Sequence, residues 1–342
     1  MKVLVPLEEA VKALILAPFD PSALRRLREG LEIMYESWLD TRRLLSPEEL
    51  IERIQRHDLQ IVVVEADFIF DEVFESTNSL RLVGVCRNSV NNVDVEAATR
   101  HGVSVINTPA RNAVSVAELT VGLMLSLARH IPSAHSIVQS GKWLDPVEPY
   151  ITLRGVELAG NVAGIIGLGA IGSEVAKRLR AFDMVVLVYD PYVNPERITQ
   201  AGGKRVGLPE LMRESDFITI HCPVSPETIG LIGANEVGLM KPTAYLINTA
   251  GWEVVDEKVL LQALEQRRIA GAAFDTYQTH PVSPQNPLLQ LDNAILTPHI
   301  GGATDGTVKR YSQMMVEEIE RFVDGKRPKN LVNPEVWKQN VR

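Results

Sequence analysis

A chain of 342 residues is long enough for about two domains, each with its own buried core. Its 45% hydrophobic and 23% charged residues, with 23 Gly and 20 Pro, suit a globular protein and exclude a collagen-like or low-complexity chain. Thirty-five basic residues against 43 acidic ones leave a net charge of -8, a field that opposes nucleic acid and other polyanions.

The chain opens on the short apolar run Met1–Val5, which Glu8 and Glu9 interrupt too early for a secretion signal. No stretch of about 18 apolar residues follows, so no membrane span is expected. Short β-branched runs at Lys12–Ala17, Leu31–Glu36, Gln60–Glu65, Arg81–Cys86 and Val103–Asn107 alternate with helical patterns. Near-continuous apolar strands of this kind predict a parallel sheet covered on both faces. A long segment, Val114–His130, reads as a helix, with Ser115 and Glu118 in capping-box spacing. A second series predicts strands at Val162–Ile166, Met184–Tyr189, Phe217–His221, Tyr245–Asn248, Ala270–Phe274 and Ala294–Thr297, with a helix over Val255–Gln266. That count predicts a doubly wound sheet of six or seven strands. A further helical pattern follows Gly302, and the basic tail from Lys326 reads as an extended arm. Cys86 and Cys222 are far apart and form no CxxC pair, so no metal or redox site is expected and a reducing, cytoplasmic setting fits.

The run Val162–Gly172 places an apolar strand directly before Gly167-Leu168-Gly169-Ala170-Ile171-Gly172, and Ser173–Ala181 reads as the helix after it. In that context Gly167 permits a tight turn, Gly169 lets backbone approach a pyrophosphate, and Gly172 lets helix pack on strand. Amides at the helix start, around Ala170 and Ile171, would face the anion. The next strand closes on Asp190, placed to accept hydrogen bonds from an adenosine ribose and to repel a 2′-phosphate. No Arg or Lys stands immediately after it, so NAD is the expected cofactor rather than NADP.

Later segments resemble the D-isomer-specific 2-hydroxyacid dehydrogenase family, which includes phosphoglycerate dehydrogenases; the resemblance spans roughly residues 80–325. His221-Cys222-Pro223 through Glu227-Thr228 is similar to the family's H-x-P-x-x-x-E-T segment beside the cofactor. Asn248-Thr249-Ala250 and Gly271–Asp275 resemble two further blocks, and Thr297-Pro298-His299-Ile300-Gly301-Gly302 resembles the block carrying the catalytic histidine. The resemblance implies two doubly wound Rossmann-like domains with a cleft between. One is a flavodoxin-like substrate domain of residues 1–113 and 303–342, the other an NAD-binding domain of residues 114–302. It implies cofactor contacts from His221, Pro223, Thr228, Thr249, Ala250, Gly251, Asp275, His299, Gly301 and Gly302, and a homodimer joined through Val114–His130 and its surroundings.

Two positions depart from the family pattern. Gly251 stands where a catalytic arginine would grip the substrate carboxylate, and His280 replaces the glutamate that orients the histidine. Removing one member of a desolvated ion pair commonly costs about 2–5 kcal/mol, so another group must act or turnover is poor. Arg87, in Cys86-Arg87-Asn88-Ser89, introduces a guanidinium into the substrate loop, where Asn88 and Ser89 add neutral donors. Arg111 is a second candidate anion contact. Trp143 is expected to pack, and Trp252 to fill the volume left at Gly251 or to cover an apolar part of the substrate.

These residues lead to an NAD-linked oxidoreductase acting on C2 of a small 2-hydroxy or 2-keto acid, phosphorylated or polyhydroxylated, with catalysis by His299, His280 and Arg87. The alternative is an NAD(H)-binding regulator without turnover, for which Gly251 and His280 speak. A methyltransferase built on the glycine turn is disfavoured by Thr297–Thr304.

Overall fold

The computed structural model describes residues 10–340, so Met1–Val5, Glu8 and Glu9 lie outside the described residues. The chain divides into two compact units, one of the described residues up to Arg111 with those from Thr304, the other Asn112–Ala303.

The first unit carries β1 (Val11–Ile15), β2 (Leu31–Tyr35), β3 (Ile61–Val64), β4 (Leu82–Val85) and β5 (Ser104–Asn107). They form one all-parallel sheet in the order β2-β1-β3-β4-β5, the flavodoxin-like order. β3 and β4 are buried at every position. Alternate residues feed two cores: Ile61 and Val63 pack with Tyr311, Met315 and Ile319, while Val62 and Val64 pack with Leu50, Ile54 and Phe74. The tail is not a free arm. Leu331 bridges Ile106, Asn333 Oδ1 accepts from Val105 N at 2.8 Å, and Pro334–Asn340 is a helix whose Trp337 packs edge-on against Phe322. Burying Val336 and Trp337 outweighs the basic, Pro-containing composition that suggested an exposed segment.

The second unit carries β6 (Val162–Ile166), β7 (Val185–Tyr189), β8 (Lys204–Arg205), β9 (Phe217–Ile220), β10 (Tyr245–Asn248), β11 (Gly271–Phe274) and β12 (Ala294–Leu296). The parallel sheet runs β12-β11-β10-β9-β6-β7-β8, so strand order reverses between β6 and β9. Ligands of such sheets bind beyond the C-terminal ends at that switch point. The two-residue β8 is the strand that periodicity could not find. Ser115 does not cap a helix: the helix runs Ala113–Ala128 from Asn112, and buried Ser115 donates to Gly301 O. Within that helix only Glu118 and Gly122 are exposed. No single helix among the described residues is long and apolar enough to cross a membrane.

Candidate active site

β6 ends at Ile166, and the chain turns at Gly167 with φ +91°. A Cβ there would lie 2.6 Å from Cys222 N, and one on Gly172 would overlap Gly167 O, so both positions require glycine. Nothing lies within 4 Å of a Cβ on Gly169, which leaves open space beside that backbone. The helix Ala170–Ala181 starts here, three residues earlier than its polar pattern suggested, with no side chain capping its N-terminus. A bare N-terminus of this length suits an anion.

Asp190, 9% exposed, holds the turn together. Its Oδ2 accepts from Leu168 N at 2.8 Å, and its Oδ1 from Tyr192 N and Val193 N at 2.9 and 3.0 Å. A carboxylate offers about four lone-pair positions, so Oδ2 retains one for a ribose hydroxyl. The adjoining pocket, about 260 Å³, is bordered by Gly167, Gly169, Asp190, Tyr192 and His221; among the described residues its charged lining groups are Asp190 and Glu227, and no lysine or arginine borders it. His221 Nε2 lies 2.9 Å from Thr219 Oγ1, while Nδ1 has no partner. Burial pushes the His221 pKa down to about 3, keeping the ring neutral, and pushes the Cys222 thiol up to about 11. Thr228 folds its segment back, donating to Pro223 O at 2.6 Å and accepting from Ser225 N at 2.8 Å. The glycine cradle, the uncapped helix and the cation-free pocket fit a dinucleotide.

Beyond β10, β11 and β12 the loops are tied to one another. Asn248 Oδ1 accepts from Ala250 N at 3.0 Å, Thr249 Oγ1 meets Thr120 Oγ1 at 3.1 Å, and Thr276 donates to Ala250 O. Asp275, 2% exposed, accepts from Ile300 N at 2.8 Å, from Gly301 N at 2.7 Å and from Thr297 Oγ1 at 2.7 Å. That clamp fixes the loop in which His299 has a left-handed backbone, φ +54°. His299 Nδ1 stands 3.0 Å from His280 Nε2, with ring centroids 4.9 Å apart. Tyr277 sets its edge against His280 and hydrogen-bonds Thr297 O at 2.9 Å.

Gly251 has no room for a side chain. A Cβ on it would overlap Val224 Cγ2 and stand 3.1 Å from Glu253 Oε2. Trp252 does not fill that volume; it is buried against Phe274, centroids 5.5 Å apart. Trp143 does not pack either, being 56% exposed.

In the first unit, Arg87, Asn88 and Ser89 are exposed beyond the C-terminal end of β4. Backbone bonds hold the loop: Arg87 O accepts from Thr108 N at 3.0 Å and Asn88 O from Asn107 Nδ2 at 2.7 Å. Arg111 is not a free anion contact. It pairs with Glu65 at 3.0 Å and lies over the Tyr311 ring, 5.2 Å from its centroid. Sequence reasoning missed Glu65, Val224 and Glu253. For Glu65 its place at the end of a strand was the available signal; nothing local marked the other two.

The parallel seven-stranded sheet and its glycine turn define a dinucleotide-binding α/β protein. The NAD-binding domain model of the D-isomer specific 2-hydroxyacid dehydrogenases matches residues 121–301, more than half of the chain, and the chain belongs to that family. It is 39% identical over 324 residues to the D-3-phosphoglycerate dehydrogenase of Archaeoglobus fulgidus, covering 94% of this chain and 59% of that protein. The chain thus spans about three fifths of the phosphoglycerate dehydrogenase. Against the glyoxylate reductase of Korarchaeum cryptofilum it is 38% identical over 293 residues, 86% of this chain and 88% of that one. The crystal structure of TT0316 protein from Thermus thermophilus superposes with a TM-score of 0.78 at 33% identity, over 94% of this chain and all of the other.

Proposed function

We propose that the chain is an NAD-dependent oxidoreductase that moves a hydride between the nicotinamide and C2 of a small 2-hydroxy or 2-oxo acid, with His299 as acid and base. The observation that carries this reading is the His299–His280 contact of 3.0 Å on a loop clamped by Asp275. NAD, when bound, supplies the hydride acceptor or donor. Gly167, Gly169, Ala170 and Ile171 would hold its pyrophosphate, Asp190 its ribose, and His221, Pro223 and Thr228 one wall. Thr249, Ala250, Gly251, Gly301 and Gly302 would present backbone beside the nicotinamide. The cation-free lining favours NAD over NADP.

With Nδ1 engaged by His280, proton exchange with the substrate falls to His299 Nε2. With His299 Nδ1–H donating to His280, the neutral ring carries a lone pair at Nε2 and takes the hydroxyl proton during oxidation; in reduction the His299 imidazolium, still donating through Nδ1–H, gives its Nε2 proton to the developing alkoxide and returns to the neutral ring. His280 acts as the positioning residue that sets this tautomer. Arg87, with Asn88 and Ser89, binds the substrate carboxylate, and Asp275 serves through its hold on the loop.

A homodimer is the proposed assembly. Its contact surface is the run from Ile131 to Ile151, where Leu144 is 90% and Tyr150 80% exposed, rather than the buried helix Ala113–Ala128. The proposed setting is cytoplasmic, in keeping with two unpaired cysteines. The second reading, a regulator without turnover, is favoured by the filled space at Gly251. A screen over 2-hydroxy and 2-oxo acids, followed by NADH absorbance, separates the two. Turnover is expected; tight NADH binding with none across the panel would overturn the dehydrogenase reading.

A further inference from the structure

The wall that position 251 presents is made by two other residues. The heavy atoms nearest to where its Cβ would stand are Val224 Cγ2, Glu253 Oε2 and Val224 Cβ. Neither neighbour sits on a loose segment. Val224 follows Pro223 in the turn fastened by Thr228. Glu253 lies between buried Trp252 and Val254, its carbonyl accepts from Gly230 N at 2.8 Å, which fixes the backbone, and the residue is exposed. Gly251 itself is held through its carbonyl by Asn248 Nδ2 at 3.3 Å. A methyl group and a carboxylate therefore stand at this place.

We propose that Val224 and Glu253 determine the substrate class: a monoanionic 2-oxo or 2-hydroxy acid with an uncharged, apolar chain, to the exclusion of phosphorylated and dicarboxylic acids. This rests on the reading above, in which Thr249, Ala250 and Gly251 present backbone beside the nicotinamide. The single carboxylate is met elsewhere, and the rest of the substrate lies against Val224. A second negative charge on that chain would approach the Glu253 carboxylate, 3.1 Å from where a Gly251 Cβ would stand and in no ion pair among the described residues. Across roughly 6 Å at a partly wet surface, such repulsion weakens binding by about 3- to 10-fold and fades as salt rises. A methyl contact contributes a comparable factor in the opposite direction for an apolar chain. The inference departs from the phosphorylated or polyhydroxylated substrate expected from sequence.

The test of Glu253 uses the full chain saturated with NADH and reads quenching of NADH fluorescence, which requires no turnover; the test of Val224 is read from steady-state turnover. The probes are oxamate, a monoanion, and tartronate, a dianion of similar size. Wild type should bind oxamate more tightly. Glu253→Gln should tighten tartronate by about 3- to 10-fold at low salt, leave oxamate within about 2-fold, and lose most of its effect at high salt. Val224→Ala should raise the KM for 2-oxoisovalerate with little change in kcat. Unchanged NADH affinity in both variants shows that they are folded. Equal shifts for the two probes, or none, would overturn the assignment while leaving the dehydrogenase reading intact. Failure of both probes to bind any NADH-saturated form would overturn both.

Discussion

Replacing Asp275 with alanine should loosen the loop that carries His299 more than any other single change there. Three donors lose their acceptor: Ile300 N, Gly301 N and Thr297 Oγ1. Thr297 keeps an alternative at Phe274 O, 3.2 Å away, and Ile300 is 42% exposed, so water can partly satisfy its amide. Gly301 is buried, and its amide bears the full penalty of about 1–3 kcal/mol for an unmade bond. With the partial loss at Ile300, the expected destabilisation is about 3 kcal/mol. Asparagine is no remedy, because its amide group would face a second N–H donor; about 2 kcal/mol is expected there. Urea unfolding of the second unit's secondary structure, with kcat and NADH affinity measured in parallel, checks both variants. The midpoint should fall, and kcat should drop several-fold as His299 leaves its left-handed conformation. An Asp275→Asn variant with wild-type midpoint and kcat would refute the clamp.

Three further outcomes follow from the geometry. His221 has a folded pKa of about 3 against an ordinary 6.5, so its contribution is complete above pH 6.5 and is lost progressively as pH falls from 6.5 toward 3, about 5 kcal/mol in all; His221→Phe should flatten that part of the acid-denaturation curve. Gly251→Arg drives its Cβ into Val224 and should cost about 1–3 kcal/mol in unfolding free energy, much of it recovered in the Val224→Gly background, as a double-mutant cycle would record. Arg111→Ala strands Glu65, whose side chain is 17% exposed, and should lower stability by about 3 kcal/mol by urea melt; Arg111→Lys should restore part of the charge pairing and little of the stacking on Tyr311.

The parts of the molecule legible in sequence are those written in short windows. The apolar runs of β3 and β4 sit at or within one residue of their expected bounds because strands buried on both faces must be apolar throughout. The glycine turn was legible because its glycines answer to sterics within one strand–turn–helix unit. Contacts across distant segments were not. Ser115 matched a capping pattern, yet its hydroxyl answers to Gly301 O. The pairing of Arg111 with Glu65 and the seating of Val224 over Gly251 each join residues far apart in sequence, and no local periodicity reports them. Trp337 made the tail part of a core despite its polar neighbours.

The central claim is that the imidazole of His299, set by His280, handles the substrate proton. The most direct measurement is the pH profile of kcat/KM for wild type and His299→Asn, with NADH affinity determined for both. Wild type should show an ionisation limb that disappears in His299→Asn, together with a fall in kcat of about 10²- to 10⁴-fold at unchanged NADH affinity. The same limb and the same rate in His299→Asn would contradict the account.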